Sequence, residues 1–162
     1  MTKISGVIAA VMALMLGGCA QYQNVTTQEY ATIQMVTEGE PFYWNDAGTF
    51  KVYDYAGGCM NMKDLGALGI QGWGETDPAR IAVDKPLLFR VHYYTNHGAN
   101  QDIDSTDFIL IPENKKHYII AYERQEVNDE IVNGFSVYMK EGDKRYRIPE
   151  SRIKQFNSRD CM

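Results

Sequence analysis

The sequence predicts a mainly β protein: a single antiparallel β-sandwich with a short C-terminal helix. Three observations carry this. Apolar residues recur at every second position in seven or eight short segments. Clusters of Pro, Asn, Asp and Gly separate those segments. The chain holds 11 Tyr and few Leu beyond residue 16, and Tyr and β-branched residues fit a pleated, half-buried surface.

The elements follow in order. Residues 30–36 place Ala31, Ile33 and Met35 on one face, although Thr26-x-x-Glu29 could open a helix there as a capping box. Residues 49–55 carry Phe50 and Val52 on either side of Lys51. A helical candidate at 61–69 is weakened by Gly66 and Gly69. Residues 79–83 and 86–94 are extended runs broken at Asp84-Lys85-Pro86. Residues 107–111, 117–123, 131–140 and 144–149 complete the strands. Their turn signals are Pro112-Glu113-Asn114, Asn128-Asp129 and Glu141-Gly142-Asp143, the last a hairpin loop. Residues 150–157 read as the C-terminal helix, with Ile153 and Phe156 on one face. A length of 162 residues corresponds to about one domain, assigned to 29–162. No internal repeat is evident.

Asn114-Lys115-Lys116-His117-Tyr118 sits between the apolar run Phe108–Pro112 and the alternating run Tyr118–Tyr122. A turn residue followed four positions on by Tyr at a strand start resembles the tyrosine corner of immunoglobulin-like sandwiches. There the ring packs in the core and the hydroxyl bonds back to the turn backbone. The order of strands, Lys-Pro and Pro-Glu over residues 79–140 is similar to that of small uncharacterised bacterial β-sandwich lipoproteins. That resemblance implies an immunoglobulin-like or related fold and no particular activity.

The amino terminus carries one charge, Lys3, then an apolar run from Ile4 to Leu16. That run is short of the ~20 residues a membrane-spanning helix needs and matches an export signal. Leu16-Gly17-Gly18-Cys19 resembles the bacterial lipobox. The resemblance implies that residues 1–18 are removed and that Cys19 takes a diacylglyceryl group and further palmitate-type acyl chains. Several chains on one residue give stable anchoring. Residues 19–28, polar and without a core pattern, then read as a lipidated tether. Ala20, in place of the Asp that retains lipoproteins at the inner membrane, implies an outer-membrane protein facing the periplasm. The implied partners are the membrane, through the anchor, and an envelope protein. Losing residues 1–18 removes Lys3 and no acid, moving the formal charge from −5 to −6. Such a chain lacks the clustered cations that nucleic acid requires.

With Cys19 acylated, Cys59 and Cys161 remain, and two thiols in an oxidising compartment are expected to form a disulfide. The alternative is a soft-metal site: Cys59, Met60 and Met62 offer thiolate and thioether donors suited to Cu(I), although Met is also a common core filler. His92 and His97 flank Tyr93–Asn96, a spacing that matches no established zinc signature. Asp102-x-Asp104 resembles the start of a calcium loop, and Glu113 falls at its twelfth position. Asp107, however, stands where the loop needs Gly. A solvated polar loop is the expected reading of this stretch. No cofactor is expected.

The sequence contains no G-x-S-x-G elbow, no H-E-x-x-H and no P-loop, so no enzyme is expected. Acidic pairs such as Glu126 and Asp129 read as surface charge, and nothing marks His117 as a catalytic partner. Gly69-Ile70-Gln71-Gly72-Trp73-Gly74 reads as a loop presenting Trp73, not as a phosphate cradle. Two functions remain, with a hydrolase a distant third. One is an anchored structural or interaction module, an accessory subunit of an envelope assembly or secretion machine. The other is a periplasmic ligand- or metal-binding lipoprotein using the Cys59–Trp73 loop.

Overall fold

Alternation decides which face each strand buries. On β1 (Ala31–Glu38) Ile33 and Met35 point inward, and on β2 (Ala47–Asp54) Phe50 and Val52 do the same; all four are fully buried. The remaining strands are β3 (Lys63–Gln71), β4 (Ala79–Ile81), β5 (Leu87–His97), β6 (Asn100–Leu110), β7 (His117–Val127), β8 (Glu130–Glu141), β9 (Lys144–Arg147) and β10 (Lys154–Gln155). The computed structural model describes residues 21–39, 46–71, 74–97, 100–127, 130–157 and Cys161. At 70–71, 96–97, 100, 125–127 and 130–131 it describes the backbone alone.

The strands form a β-sandwich of two five-stranded sheets, in the orders β4-β1-β7-β8-β9 and β10-β6-β5-β2-β3. One core joins their inner faces. It takes Leu87, Phe89, Val91 and Tyr93 from β5, Phe108 and Leu110 from β6, and Tyr118, Ile120 and Tyr122 from β7. Phe89 and Phe108 stack at 5.3 Å between centroids, a geometry aromatic pairs favour. The tyrosine corner forms: Tyr118 is fully buried, and its hydroxyl accepts from the Glu113 backbone N–H at 2.9 Å.

Four details depart from the sequence expectations. The sandwich is not wholly antiparallel, because β1 runs parallel to β7 from Thr32↔His117 to Glu38↔Glu123. A long excursion through the second sheet separates these two strands, so no hairpin dictates their direction. Residues 61–69 are not helical but lie in β3. There Gly66, at φ 106°, takes up the register shift opposite Val52 and Tyr53. The C-terminal helix at 150–157 is instead a 3₁₀ turn, Glu150–Arg152, followed by β10. Ile153 packs on the main core, whereas Phe156 joins a second cluster with Tyr53, Leu88 and Ile109. Two clusters on opposite faces of a sheet suit an extended chain, not one helix face. Finally, the polar stretch 100–106 is no loop. It pairs with β5 without interruption, from Asn100↔His97 to Leu110↔Leu87.

Two segments outside the strands close the structure. Gln21 bridges Ala67 on β3, while the Tyr22 hydroxyl donates to the Arg80 carbonyl on β4 at 2.9 Å. Val25 N–H also donates to that carbonyl, and Arg80 N–H donates to Asn24 Oδ1. Residues 21–25, read from their polarity as tether, thus strap the β3/β4 side of the sandwich and put Tyr22 into the core. At the other end, Cys161 is bonded to Cys59 with Cα atoms 5.4 Å apart, within the range a disulfide requires.

Candidate functional site between two strand edges

The side of the sandwich opposite the N-terminal strap is only partly closed. β10 pairs with β6 at Ile109 and Phe108 alone, and β9 pairs with β8 from Tyr138 to Glu141. Beyond those points the outer edges of β6 and β8 have no paired strand among the described residues. Phe156 N–H donates to the Asp107 carbonyl. By the two-residue repeat of the ladder, Ser105 and Ile103 turn their backbone N–H and C=O the same way, out of the sheet edge. On β8, Val137 accepts from Ile148 N–H, so Phe135 and Asn133 repeat that arrangement.

Between these edges opens a groove of about 350 Å³. Phe108, Phe135, Val137, Ile148 and Ile153 form an apolar floor, and Arg147, Glu150 and Gln155 supply a polar rim. Ile103 and Val132 stand more than half exposed on the two open-edged strands. A volume near the lower bound of small-molecule pockets, stretched along two strand edges, suits one or two side chains of an extended segment.

Along the same strands the interior turns polar. Tyr93 and Tyr122 stack at 3.9 Å between the two sheets, and the Tyr122 hydroxyl donates to Asp104 Oδ2 at 2.5 Å. Asp46 is fully buried beside Tyr93, and Thr95 is buried near Tyr122. Burial raises both tyrosine hydroxyls well above the usual phenol range. Asp46 adds to this for Tyr93 and Asp104 for Tyr122. Both tyrosines therefore stay neutral donors and carry no charge into the interior. Phe135 links this zone to the groove, with its ring 5.1 Å from that of Tyr122.

The residues singled out in the sequence lie elsewhere. Cys59 is held in the disulfide, so it has no thiolate to offer a metal. Met60 is 91% exposed, whereas Met62 packs against the Tyr53 cluster. The expected Cys59–Trp73 loop is mostly a 3₁₀ turn and β3, and Trp73 lies outside the described residues, as do Cys19 and Asp129. Glu126 and His97 are described in their backbone only. His92 sits mid-strand on β5 beside Tyr94. Asp102 and Asp104 belong to β6, not to a cation loop, and Glu113 is ion-paired with Arg152. Among the described residues, no group of three or more His, Cys, Asp or Glu side chains is placed to hold a metal. No described helix is long and apolar enough to cross a membrane.

The groove residues were not marked by the sequence. Phe135, Val137 and Ile148 look like ordinary strand positions, and Val137 and Ile148 are buried in the core, so nothing local marks them as the floor of a groove. The Asp104–Tyr122 pair could have been suspected from an isolated acidic-Ile alternation at 102–104, which fits a strand as well as a loop. Comparison with protein-family models, with curated proteins and with solved structures gave no match to this chain.

Proposed function

We propose that this chain is an outer-membrane lipoprotein, anchored through acylated Cys19 and facing the periplasm. It acts as an interaction module that receives an extended segment of an envelope protein. The observation that carries the reading is the groove between the open edges of β6 and β8. An unpaired edge offers a row of backbone donors and acceptors to an incoming strand, and an adjacent apolar trough selects its side chains. The disulfide and the N-terminal strap pin other parts of the sandwich and leave the groove side open. Lipidation confines the module to a surface, where even a weak strand-addition contact has a high effective concentration.

The test places a photocrosslinking amino acid at Glu150 or Gln155, exposed on the rim of the groove, in the native envelope, with Gln23 and Lys144 as control positions. The expected result is a discrete protein adduct from the groove positions and none from the controls. Ser105→Pro should abolish that adduct. It removes an N–H directed at the open edge and leaves the pairing with β5 intact. Equal adducts at groove and control positions, or an adduct indifferent to Ser105→Pro, would overturn the groove as the docking site.

A further inference from the structure

The N-terminal strap has a geometric consequence for an anchored chain. Only Ala20 separates Cys19 from Gln21. Two peptide units span at most about 7 Å whatever their conformation. Gln21 is itself fixed, bridged to Ala67 on β3, and the next residues are bonded to Arg80 on β4. A lipid on Cys19 is therefore held close to the β3/β4 side of the sandwich, with no free tether to let the domain swing.

The two sheet orders fix what lies on the other side. β6 and β8 are each three strands away from β3 and β4 in their own sheets. At ~4.8 Å per strand, the groove edges stand roughly 14 Å farther from the anchor. The strap side is also suited to a phospholipid surface. Residues 20–28 carry no charge, and the edge strands beside them carry the cations Lys63 and Arg80 and one acid, Asp64, which is ion-paired with Lys51. In a processed chain with a formal charge of −6, this is a side with little net negative charge to oppose anionic headgroups.

We propose that the docked strap sets the domain edge-on to the bilayer, with the β3/β4 side against the phospholipid headgroups and the β6/β8 groove turned away from them. This rests on the reading of Cys19 as the lipidated residue. It adds that the anchor determines orientation as well as location, and that the docked strap together with the short covalent reach from Cys19 presents the groove to the periplasm.

The test uses the full-length, processed protein in vesicles of phosphatidylethanolamine and phosphatidylglycerol that contain a lipid with a headgroup-proximal photoactivatable diazirine. Adducts are mapped by mass spectrometry of the digested protein. The expected adducts fall on residues 21–29 and 63–69, several-fold above those on 103–108 and 132–137. A flexible Gly-Ser insert of about ten residues between Ala20 and Gln21 should erase that bias while the protein stays on the vesicles. An even distribution without the insert, adducts concentrated on the groove, or a bias unchanged by the insert would each overturn the orientation. The intact mass is read first. An amino terminus without acyl chains overturns the anchor reading itself, and this proposal with it, whereas an acylated chain with even labelling overturns the orientation alone.

Discussion

The Glu113 backbone amide donates to the Tyr118 hydroxyl at 2.9 Å, closing the turn between β6 and β7 over a fully buried ring. Lys115 takes the left-handed conformation inside that turn, at φ 59°, and its N–H donates to the Tyr30 carbonyl. Lys116 in turn accepts from Thr32 N–H. The corner thus fixes where β1 enters beside β7. Tyr118→Phe keeps the ring and removes the acceptor, so the expected loss is about 0.5–1.5 kcal/mol. Chemical denaturation checks this, and an unchanged midpoint would mean that the hydroxyl contributes nothing to the corner.

That corner was legible because its parts are local: a turn residue, a spacing and a Tyr at a strand start. The inward residues Ile33, Met35, Phe50 and Val52 were legible for the same reason, since alternation is a local property. Strand direction is not. Nothing in residues 31–38 states that their neighbour will be 117–123 or that the pairing will be parallel. β6 was missed at its polar end because Asp102, Asp104 and Ser105 gain their place from partners on β5 and β7, not from their own hydrophobicity. Tyr22 was taken for tether because its neighbours are polar. A single buried ring held by one carbonyl, Arg80, leaves no periodic trace. The groove is less legible still, since it exists only where two other strands stop short.

The Asp104–Tyr122 bond ties the second sheet to the first across the sandwich interior. Tyr122→Phe removes the donor and leaves a partly buried carboxylate short of a partner. The expected loss is about 1.5–3 kcal/mol, the range for a hydrogen bond to a charged group. Tyr122→Phe combined with Asp104→Leu should cost less than the sum of the single changes. A double-mutant cycle by denaturation reads the coupling, and strict additivity would contradict a direct bond.

The Cys59–Cys161 bond closes a separation of 102 residues. Chain entropy sets its contribution at up to about 4.7 kcal/mol. It also holds down the segment that carries Phe156 onto Tyr53, Leu88 and Ile109. Cys161→Ser should lower the melting temperature and raise amide hydrogen exchange at 154–157, while the main core keeps its protection. Unchanged exchange in that segment would show that Phe156 and β10 hold without the bond.

His117 supplies a pH dependence with a definite sign. Burial, then the nearby Lys140, lowers its pKa below the ordinary 6.5. Its Nδ1 lies 2.6 Å from Thr32 Oγ1, between β7 and β1. As pH falls through 6.5, the unfolded chain takes up a proton that the folded chain resists, so this group's contribution to stability declines on the acid side. Nuclear magnetic resonance titration should place the His117 midpoint below 6.5. The stability lost between pH 7.5 and 5.5, two points that bracket the free value, should shrink in His117→Asn. An equal loss in both proteins would assign the effect to other groups.

Tyr22 gives the strap its hold, and two substitutions separate the parts of that hold. Its hydroxyl donates to the Arg80 carbonyl while the residue, 6% exposed, is buried in the core. Tyr22→Phe removes the bond alone and should cost about 0.5–1.5 kcal/mol. Tyr22→Ala removes the ring as well and should cost about 3–5 kcal/mol, the range for emptying an aromatic site. Burial also raises this hydroxyl to about 12. A phenol in the unfolded chain ionises near 10, so part of the folded state's stability disappears as pH climbs from there toward the folded value. Tyr22→Phe should remove a portion of that alkaline loss, and only a portion, because Tyr93, Tyr118 and Tyr122 are raised too. Hydrogen exchange discriminates further. The amides of Tyr22 and Val25, bonded to Ala67 and Arg80, should stay protected in the Phe variant and exchange freely in the Ala variant. If both stay protected in Tyr22→Ala, the backbone bonds hold residues 21–25 unaided, and the ring contributes stability without governing the strap.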